Sequence, residues 1–222
     1  MNGMPGSEQP RGDADAIVLH DYFRSSAAWR VRIVLALKRI PHRRVKIDLL
    51  AGAHRDPAYR TIHPQGAVPA LEMDGHVLTQ SLAIIDYLDA RFPDPPMLPK
   101  DPAARARVLA KALLIAADIH PINNLRVLRY LEHELGADEA GRKRWIAHWI
   151  GEGFAALEAM ARADRSRFLS GSAPGLADAC LIPQLFNARR FQVPVQPYPT
   201  LLAIEAAAME LDAFAATHPD RI

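Results

Sequence analysis

The chain has 222 residues, 50% hydrophobic and 23% charged, enough to bury a core without staples and too apolar for a disordered protein. Its 27 Lys plus Arg against 25 Asp plus Glu leave a formal charge of +2, so no nucleic-acid partner is expected without a local basic stripe. No apolar run approaches the roughly 18 residues that span a bilayer, and the first 15 residues carry Pro5, Pro10 and Asp13 where a secretory signal needs an apolar stretch. No membrane association is expected, and residues 1–15 read as a flexible tail. The single cysteine, Cys180, excludes an internal disulfide and any Cys-x-x-Cys pair, which favours a reducing cytoplasm. Nine histidines are present, but none stand four apart on a helix face, so no metal site is expected.

Residues 16–92 alternate between strand and helix periods. Ala16 to His20 reads as a buried strand, and Ser26 to Arg39 as a helix with Val31, Val34 and Leu35 on one face. Lys38 and Arg39 place positive charge at the end of its dipole. Arg44 to Leu49 alternates strictly and predicts a half-buried strand. A polar stretch follows, then two short apolar segments, 68–73 and 76–78, around Asp74-Gly75, a hairpin signal. Leu82, Ile85, Leu88 and Phe92 restore helical spacing over Ser81 to Phe92. The predicted order is strand, helix, strand, loop, hairpin, helix.

Pro93, Pro95, Pro96 and Pro99 fall too close together for a helix or central strand, so residues 93–100 read as an interdomain linker. Asp101-Pro102 is an N-cap with proline at the first helical position. Beyond it only helical periods appear, with stripes such as Ile146, Ile150, Gly153 and Leu157, and Leu201, Ile204, Ala208 and Leu211. Residues 101–222 are therefore expected to form an all-helical second domain.

Several motifs carry both a chemical and a structural reading. Ser25 and Ser26 arrive where the first helix starts. Either can be an ordinary cap, or a hydroxyl, free N–H groups and a dipole end can together stabilise a thiolate. Gln80-Ser81 offers a second hydroxyl N-cap beside an amide. Asp118 to Arg126 sets polar residues around Pro121 inside a helical pattern, where the proline should kink the helix and free a carbonyl near position 117. Arg189-Arg190 suits an anion or a solvated helix end. Gly151-Glu152-Gly153 imitates a dinucleotide loop but lies in a helical stripe with no strand before it, and Cys180 reads as core.

Tyr22-Phe23-Arg24-Ser25-Ser26, Trp29-Arg30-Val31-Arg32-Ile33, the Val68-Pro69 strand entrance, Gln80 to Ile85, His120 to Leu128, and Ala177-Asp178 through Phe191 resemble one family in combination. The chain is similar, over about residues 16–220, to the zeta-class glutathione S-transferases of the maleylacetoacetate and maleylpyruvate isomerase group. The resemblance implies an α/β thioredoxin-like N-terminal domain, an all-α C-terminal domain, glutathione as cofactor in the cleft between them, and a homodimer. It implies that Ser25 bonds the glutathione sulfur with Ser26 beside it, and that Val68, before a cis-Pro69, pairs with the cysteinyl unit. Gln80 and Ser81 would hold the gamma-glutamyl end, and His54, His120 and Asn124 match further glutathione contacts. The implied activity is cis–trans isomerisation of a small dicarboxylic keto acid by reversible thiolate addition. Transfer or dehalogenation of alpha-halo acids, and glutathione binding without catalysis, stand as alternatives.

The substrate's carboxylates call for cations at the cleft, and planar guanidinium suits them, which makes Arg24, Arg126 and Arg190 the candidates. Three positions depart from the family pattern. Ala27 replaces a cysteine after the two serines, Ala67 replaces a frequent Gln before Val68, and Gly175 replaces the Ser or Thr cap three residues before Asp178, where a modest loss of stability is expected.

Overall fold

The computed structural model describes residues 16–222; the expected tail over 1–15 lies outside the described residues. The chain begins with β1 (Val18–Asp21), α1 (Ser26–Leu37) and β2 (Arg43–Lys46), then α2 (Pro57–Ile62), the hairpin β3 (Ala70–Met73) and β4 (His76–Thr79), and α3 (Ser81–Arg91). The strands form one sheet in the order β2-β1-β3-β4, with β1 and β2 parallel and both other pairings antiparallel. That is a thioredoxin-like arrangement. At the hairpin Asp74 has φ 51° and Gly75 φ 73°, the two left-handed residues that a tight two-residue turn requires.

Two expectations need correcting here. The segment predicted as loop before the hairpin contains α2, which uses the same Asp-Pro start as Asp101-Pro102: Asp56 caps it, accepting the Ala58 N–H at 2.8 Å, and Pro57 is its first residue. Six residues with only Tyr59 buried give no periodic signal. The positive end of α1 also differs. The helix stops at Leu37, and Lys38 is buried, donating to Asp89 Oδ1 at 2.8 Å and to the Phe92 and Pro95 carbonyls at 2.6 and 2.7 Å. It ties α3 and the proline-rich segment to α1 instead of complementing a dipole.

The remainder is helical: α4 (Pro102–Leu113), a π-helical segment (Leu114–Ile119), a 3-10 turn (Pro121–Asn123), α5 (Leu125–His133), α6 (Glu139–Asp164), α7 (Leu176–Arg190), α8 (Pro199–Met209) and α9 (Asp212–Ala215). Pro121 therefore ends a widened helix rather than kinking a regular one. Gly153 lies mid-α6, and a Cβ there would stand 2.3 Å from Ile119 Cδ1, so the glycine lets the π segment dock against α6. Cys180 is buried in α7 within the apolar core. Among the described residues no helix is long and apolar enough to cross a membrane.

Helix α1 joins the two halves. It lies against α7, where the Ser26 hydroxyl donates to the Pro183 carbonyl at 3.4 Å. Trp29 Nε1 donates to Thr217 Oγ1 at 3.0 Å, and its ring meets Phe186 and His218 edge to face. One apolar core runs from Leu19 and Ile33 through to Leu181 and Phe214.

At the start of α7, Asp178 is fully buried and accepts from the N–H groups of Leu169 (2.6 Å), Gly175 (3.0 Å) and Ser170 (3.1 Å). The cap expected to be weakened by Gly175 is rebuilt from outside the helix, because Ser170 Oγ accepts the Ala177 N–H at 3.1 Å. A Cβ on Gly175 would stand 2.7 Å from the Met97 carbonyl oxygen and 3.0 Å from Ser170 Oγ. Gly175→Ser is therefore expected to lower stability by about 1–3 kcal/mol through overpacking, although Ser is the better cap in isolation. Asp178→Ala, which strands three N–H groups, should cost about 3 kcal/mol or more. Urea unfolding of both variants measures this, and a Gly175→Ser protein more stable than the parent would contradict the packing argument.

Candidate functional site

The turn after β1 is fixed from behind. Both Asp21 carboxylate oxygens accept from Arg32 Nη1, at 2.7 and 2.9 Å, and Arg32 Nη2 donates to the Phe23 carbonyl at 3.0 Å. With the Ser25 N–H bonded to the Tyr22 carbonyl at 2.8 Å, Ser25 lands at the N-cap of α1 and its Oγ accepts the Ala28 N–H at 3.2 Å. The capping reading and the chemical one are compatible, because a hydroxyl that accepts from a helix N–H keeps its proton to donate outward. Ser26 is buried, with its hydroxyl engaged inside the fold by Pro183. Ala27 follows it, half-buried.

Arg24, in this turn, and Arg190 come from opposite ends of the chain, both are exposed, and they lie near enough for the charge of Arg24 to act on Arg190. Arg24 lies over the Phe23 ring at 4.9 Å, and Arg190, the last residue of α7, over the Phe191 ring at 5.8 Å. Burial first, and then the positive charge of Arg24, lower the Arg190 pKa, against an opposing effect of Tyr22. Neither guanidinium has an acidic partner among the described residues.

The Val68-Pro69 bond is cis, as the resemblance implied. The Tyr59 hydroxyl donates to the Ala67 carbonyl at 2.7 Å and steadies this entrance to β3. Gln80 has φ 67° and bonds Gln65 at 2.9 Å. The expected hydroxyl cap at Gln80-Ser81 is corrected: Gln80 occupies the N-cap with no side-chain bond to the helix, and Ser81 is the first helical residue. Ser81 Oγ instead accepts from Arg30 Nη1 at 3.3 Å, so the N-terminus of α3 is left open.

His54 and Arg126 share a basic region. His54 sits in a 3-10 turn (Ala53–Arg55), half-buried, with Nδ1 unpartnered. Its pKa is lowered by burial and then by the charges of Arg55, Arg129 and Arg60. Arg126 is exposed on α5 and, with Arg55, Arg129, Tyr130, His133 and Glu134, lines an open cleft of about 430 Å³. Arg24 and Arg190 are not among the residues that line this cleft.

His120 closes the π segment, and burial followed by the Arg30 charge pushes its pKa down to about 3, so its imidazole is neutral at physiological pH. Asn124 caps α5, its Oδ1 accepting the N–H groups of Arg126 and Val127 at 3.1 and 3.2 Å, which leaves its NH₂ as a free donor. Sequence reasoning missed Arg30, Arg55 and Arg129. Arg30 carried a signal: with Arg32 it lies in an unbroken buried run, 28–35, of a single helix, where a charge needs a reason.

The family model described as glutathione S-transferase, N-terminal domain, matches residues 19–96, and that described as glutathione S-transferase, C-terminal domain, matches residues 126–207. The maleylacetoacetate isomerase of Rhizobium meliloti (strain 1021) is 46% identical over 209 residues, covering 94% of this chain and 98% of its own. A solved maleylpyruvate isomerase, described as a bacterial glutathione S-transferase of the zeta class, superposes with a TM-score of 0.90 at 43% identity, over 92% of this chain and 98% of that one. A maleylacetoacetate isomerase from Anaeromyxobacter dehalogenans 2CP-1, solved with bound glutathione in its active site, gives 0.84 at 42% identity, over 93% and 96%. With a thioredoxin-like sheet, a helical second half and this likeness along nearly the whole chain, the protein belongs to the glutathione S-transferase family, in the zeta-class group of maleylacetoacetate and maleylpyruvate isomerases.

Proposed function

We propose that this protein is a glutathione-dependent isomerase that converts maleylacetoacetate or maleylpyruvate to the fumaryl isomer. The observation that carries the reading is that Arg24, next to the capping Ser25, and Arg190, whose pKa feels its charge, have no acidic partner among the described residues. A small dianion fills that gap, and planar donors suit its carboxylates.

The residues present fit glutathione along its length. Ser25 takes the sulfur end, with Ser26 next to it at the start of α1. Val68, whose N–H and C=O have no hydrogen-bond partner among the described residues, takes the cysteinyl unit. Gln80 and Ser81 take the gamma-glutamyl end. His54, with its orphaned Nδ1 and flanking arginines, takes the glycyl end, while His120 and Asn124 approach from the helical half. When bound, glutathione supplies a thiolate that adds reversibly to the cis double bond, so the bond can turn before the thiolate departs.

Ser25 donates its free proton to the sulfur and, with the α1 N-terminus, favours ionisation of a thiol that otherwise titrates near about 8.5. Arg24 and Arg190 orient the carboxylates and stabilise the oxygen on which negative charge develops. His120 is uncharged and serves as a neutral hydrogen-bonding group. Arg126, exposed on the cleft rim, guides the dianion inward. The division into residues 16–92 and 101–222, joined by 93–100, belongs to this reading. So does a homodimer, which the likeness to the zeta-class group implies. A cytoplasmic setting fits the one buried cysteine.

An absorbance assay with maleylpyruvate and maleylacetoacetate, with glutathione counted before and after, tests the activity. Turnover that requires glutathione and consumes none is expected; net thiol loss would point to transfer or dehalogenation, and binding without turnover to a non-catalytic role. Arg190→Ala should lower kcat/KM by roughly 10²-fold, as for loss of one donor to developing charge, and Arg126→Ala by a smaller factor, mostly in KM. Ser25→Ala should reduce the rate at neutral pH and shift the pH–rate profile to the alkaline side, because the bound thiol loses a donor to its anion.

His120 gives a separate pH prediction. Its folded pKa, about 3, lies below the unfolded value near 6.5. The unfolded chain therefore binds this proton first, and stability is lost as pH falls from about 6.5 towards 3. His120→Gln should flatten the fall of Tm between about pH 6.5 and pH 4, measured by thermal unfolding in glutathione-free buffer.

A further inference from the structure

Arg30 is the most completely buried cation near the site that has no assigned task. It is 2% exposed, and its Nε and Nη2 have no hydrogen-bond partner among the described residues. Its one side-chain bond there is from Nη1 to Ser81 Oγ at 3.3 Å, and no carboxylate among the described residues pairs with it. Its neighbour on the same helix, Arg32, also leaves Nε unpartnered, but it has the Asp21 carboxylate on Nη1 and a carbonyl on Nη2, so its charge is matched.

The titratable groups facing Arg30 do not neutralise it. His120 is held uncharged, and burial pushes the Cys180 thiol up, outweighing the opposite effect of Arg30, so it does not supply an anion. Burial also lowers the Arg30 pKa, but a guanidinium does not give up its proton at physiological pH. The fold therefore carries a desolvated positive charge that awaits an anion. Its only hydrogen bond points to the first residue of α3, an 11-residue helix whose N-cap side chain makes no bond to it.

We propose that Arg30 is a positioning residue for the carboxylate at the gamma-glutamyl end of glutathione, acting through Ser81. By donating to Ser81 Oγ it occupies a lone pair of that hydroxyl, so the Ser81 proton is turned outward as a donor. The buried charge then adds its field to the open N-terminus of α3. The carboxylate of the ligand is the missing counter-charge. This rests on the reading that Gln80 and Ser81 hold the gamma-glutamyl end, and it adds a buried cation that acts on the anion from behind Ser81.

The test compares Arg30→Met, Arg30→Lys and Ser81→Ala with the parent protein. Each is titrated calorimetrically with glutathione and with glutathione carrying a carboxamide in place of the gamma-glutamyl carboxylate. Arg30→Met should weaken glutathione binding by about 10- to 100-fold, the range for a lost hydrogen bond to a charged group, and raise KM for glutathione more than it lowers kcat. It should bind the carboxamide about as the parent does. Its ligand-free Tm should be equal or higher, because an unpaired buried charge has been removed. Arg30→Lys should recover part of the affinity, and it carries the comparison if the Met variant does not fold.

Normal glutathione affinity in Arg30→Met, with weakened binding in Ser81→Ala, would overturn the role of Arg30 and leave the site reading intact. Normal affinity in both would overturn the site reading itself. Equal losses for glutathione and the carboxamide, together with a lower ligand-free Tm, would make Arg30 a structural residue and also overturn the proposal.

Discussion

The Asp21 carboxylate, 1% exposed at the end of β1, is where the thioredoxin-like half is tied together. It accepts from Arg32 on α1 and from Arg44 on β2, the latter through Nε at 3.0 Å and Nη2 at 2.8 Å. Removing one member of such a buried network costs about 3–5 kcal/mol, because the others are left charged and dry. Here the network also has a direction. Arg32, held by Asp21, reaches the Phe23 carbonyl, so the position of Arg24 and Ser25 depends on an ion pair behind them rather than on the turn's own preference.

The two arginines of α1 thus do opposite things within one turn of helix. Arg32 is paired with a carboxylate, only its Nε lacking a partner among the described residues, and makes geometry; Arg30 has no carboxylate partner and makes potential. The core allows both because α1 is covered on nearly all sides, by α3, α7 and α9 among others. A buried helix of this kind keeps solvent from screening its charges, and so what Arg30 contributes at the start of α3 is less attenuated than a surface charge would be.

Much of the fold could be read from periodicity. Val18 to Asp21, the Asp74-Gly75 hairpin, α3 and the Ile146, Ile150 and Leu157 stripe of α6 all follow from apolar spacing and turn chemistry. The strand predicted at 44–49 proved to be an edge strand, Arg43–Lys46, with only Val45 partly covered, because alternation does not reveal whether a second sheet neighbour exists. Helix α2 escaped because it is shorter than two turns. At the site, the motif residues were legible but their partners were not. That Ser26 turns to Pro183, that Ser81 is bonded by Arg30 and not a cap, and that Arg126 lines a cleft with Arg55 are facts of tertiary packing over long sequence separations.

The π segment before Pro121 adds a residue of slack to an otherwise regular helix, since its bonds span five residues instead of four. That slack is a form of evolutionary adjustability. Successive residues of an α-helix are turned by about 100°, so a residue gained or lost in a regular stretch would swing everything after it through about that angle. The wide turn absorbs such a change locally, and losing one residue within 114–119 would close it to an ordinary turn while His120 and Asn124 keep nearly the faces they show now. The segment is thus a place in the helical half where a change of length need not become a change of direction, a tolerance usually confined to loops.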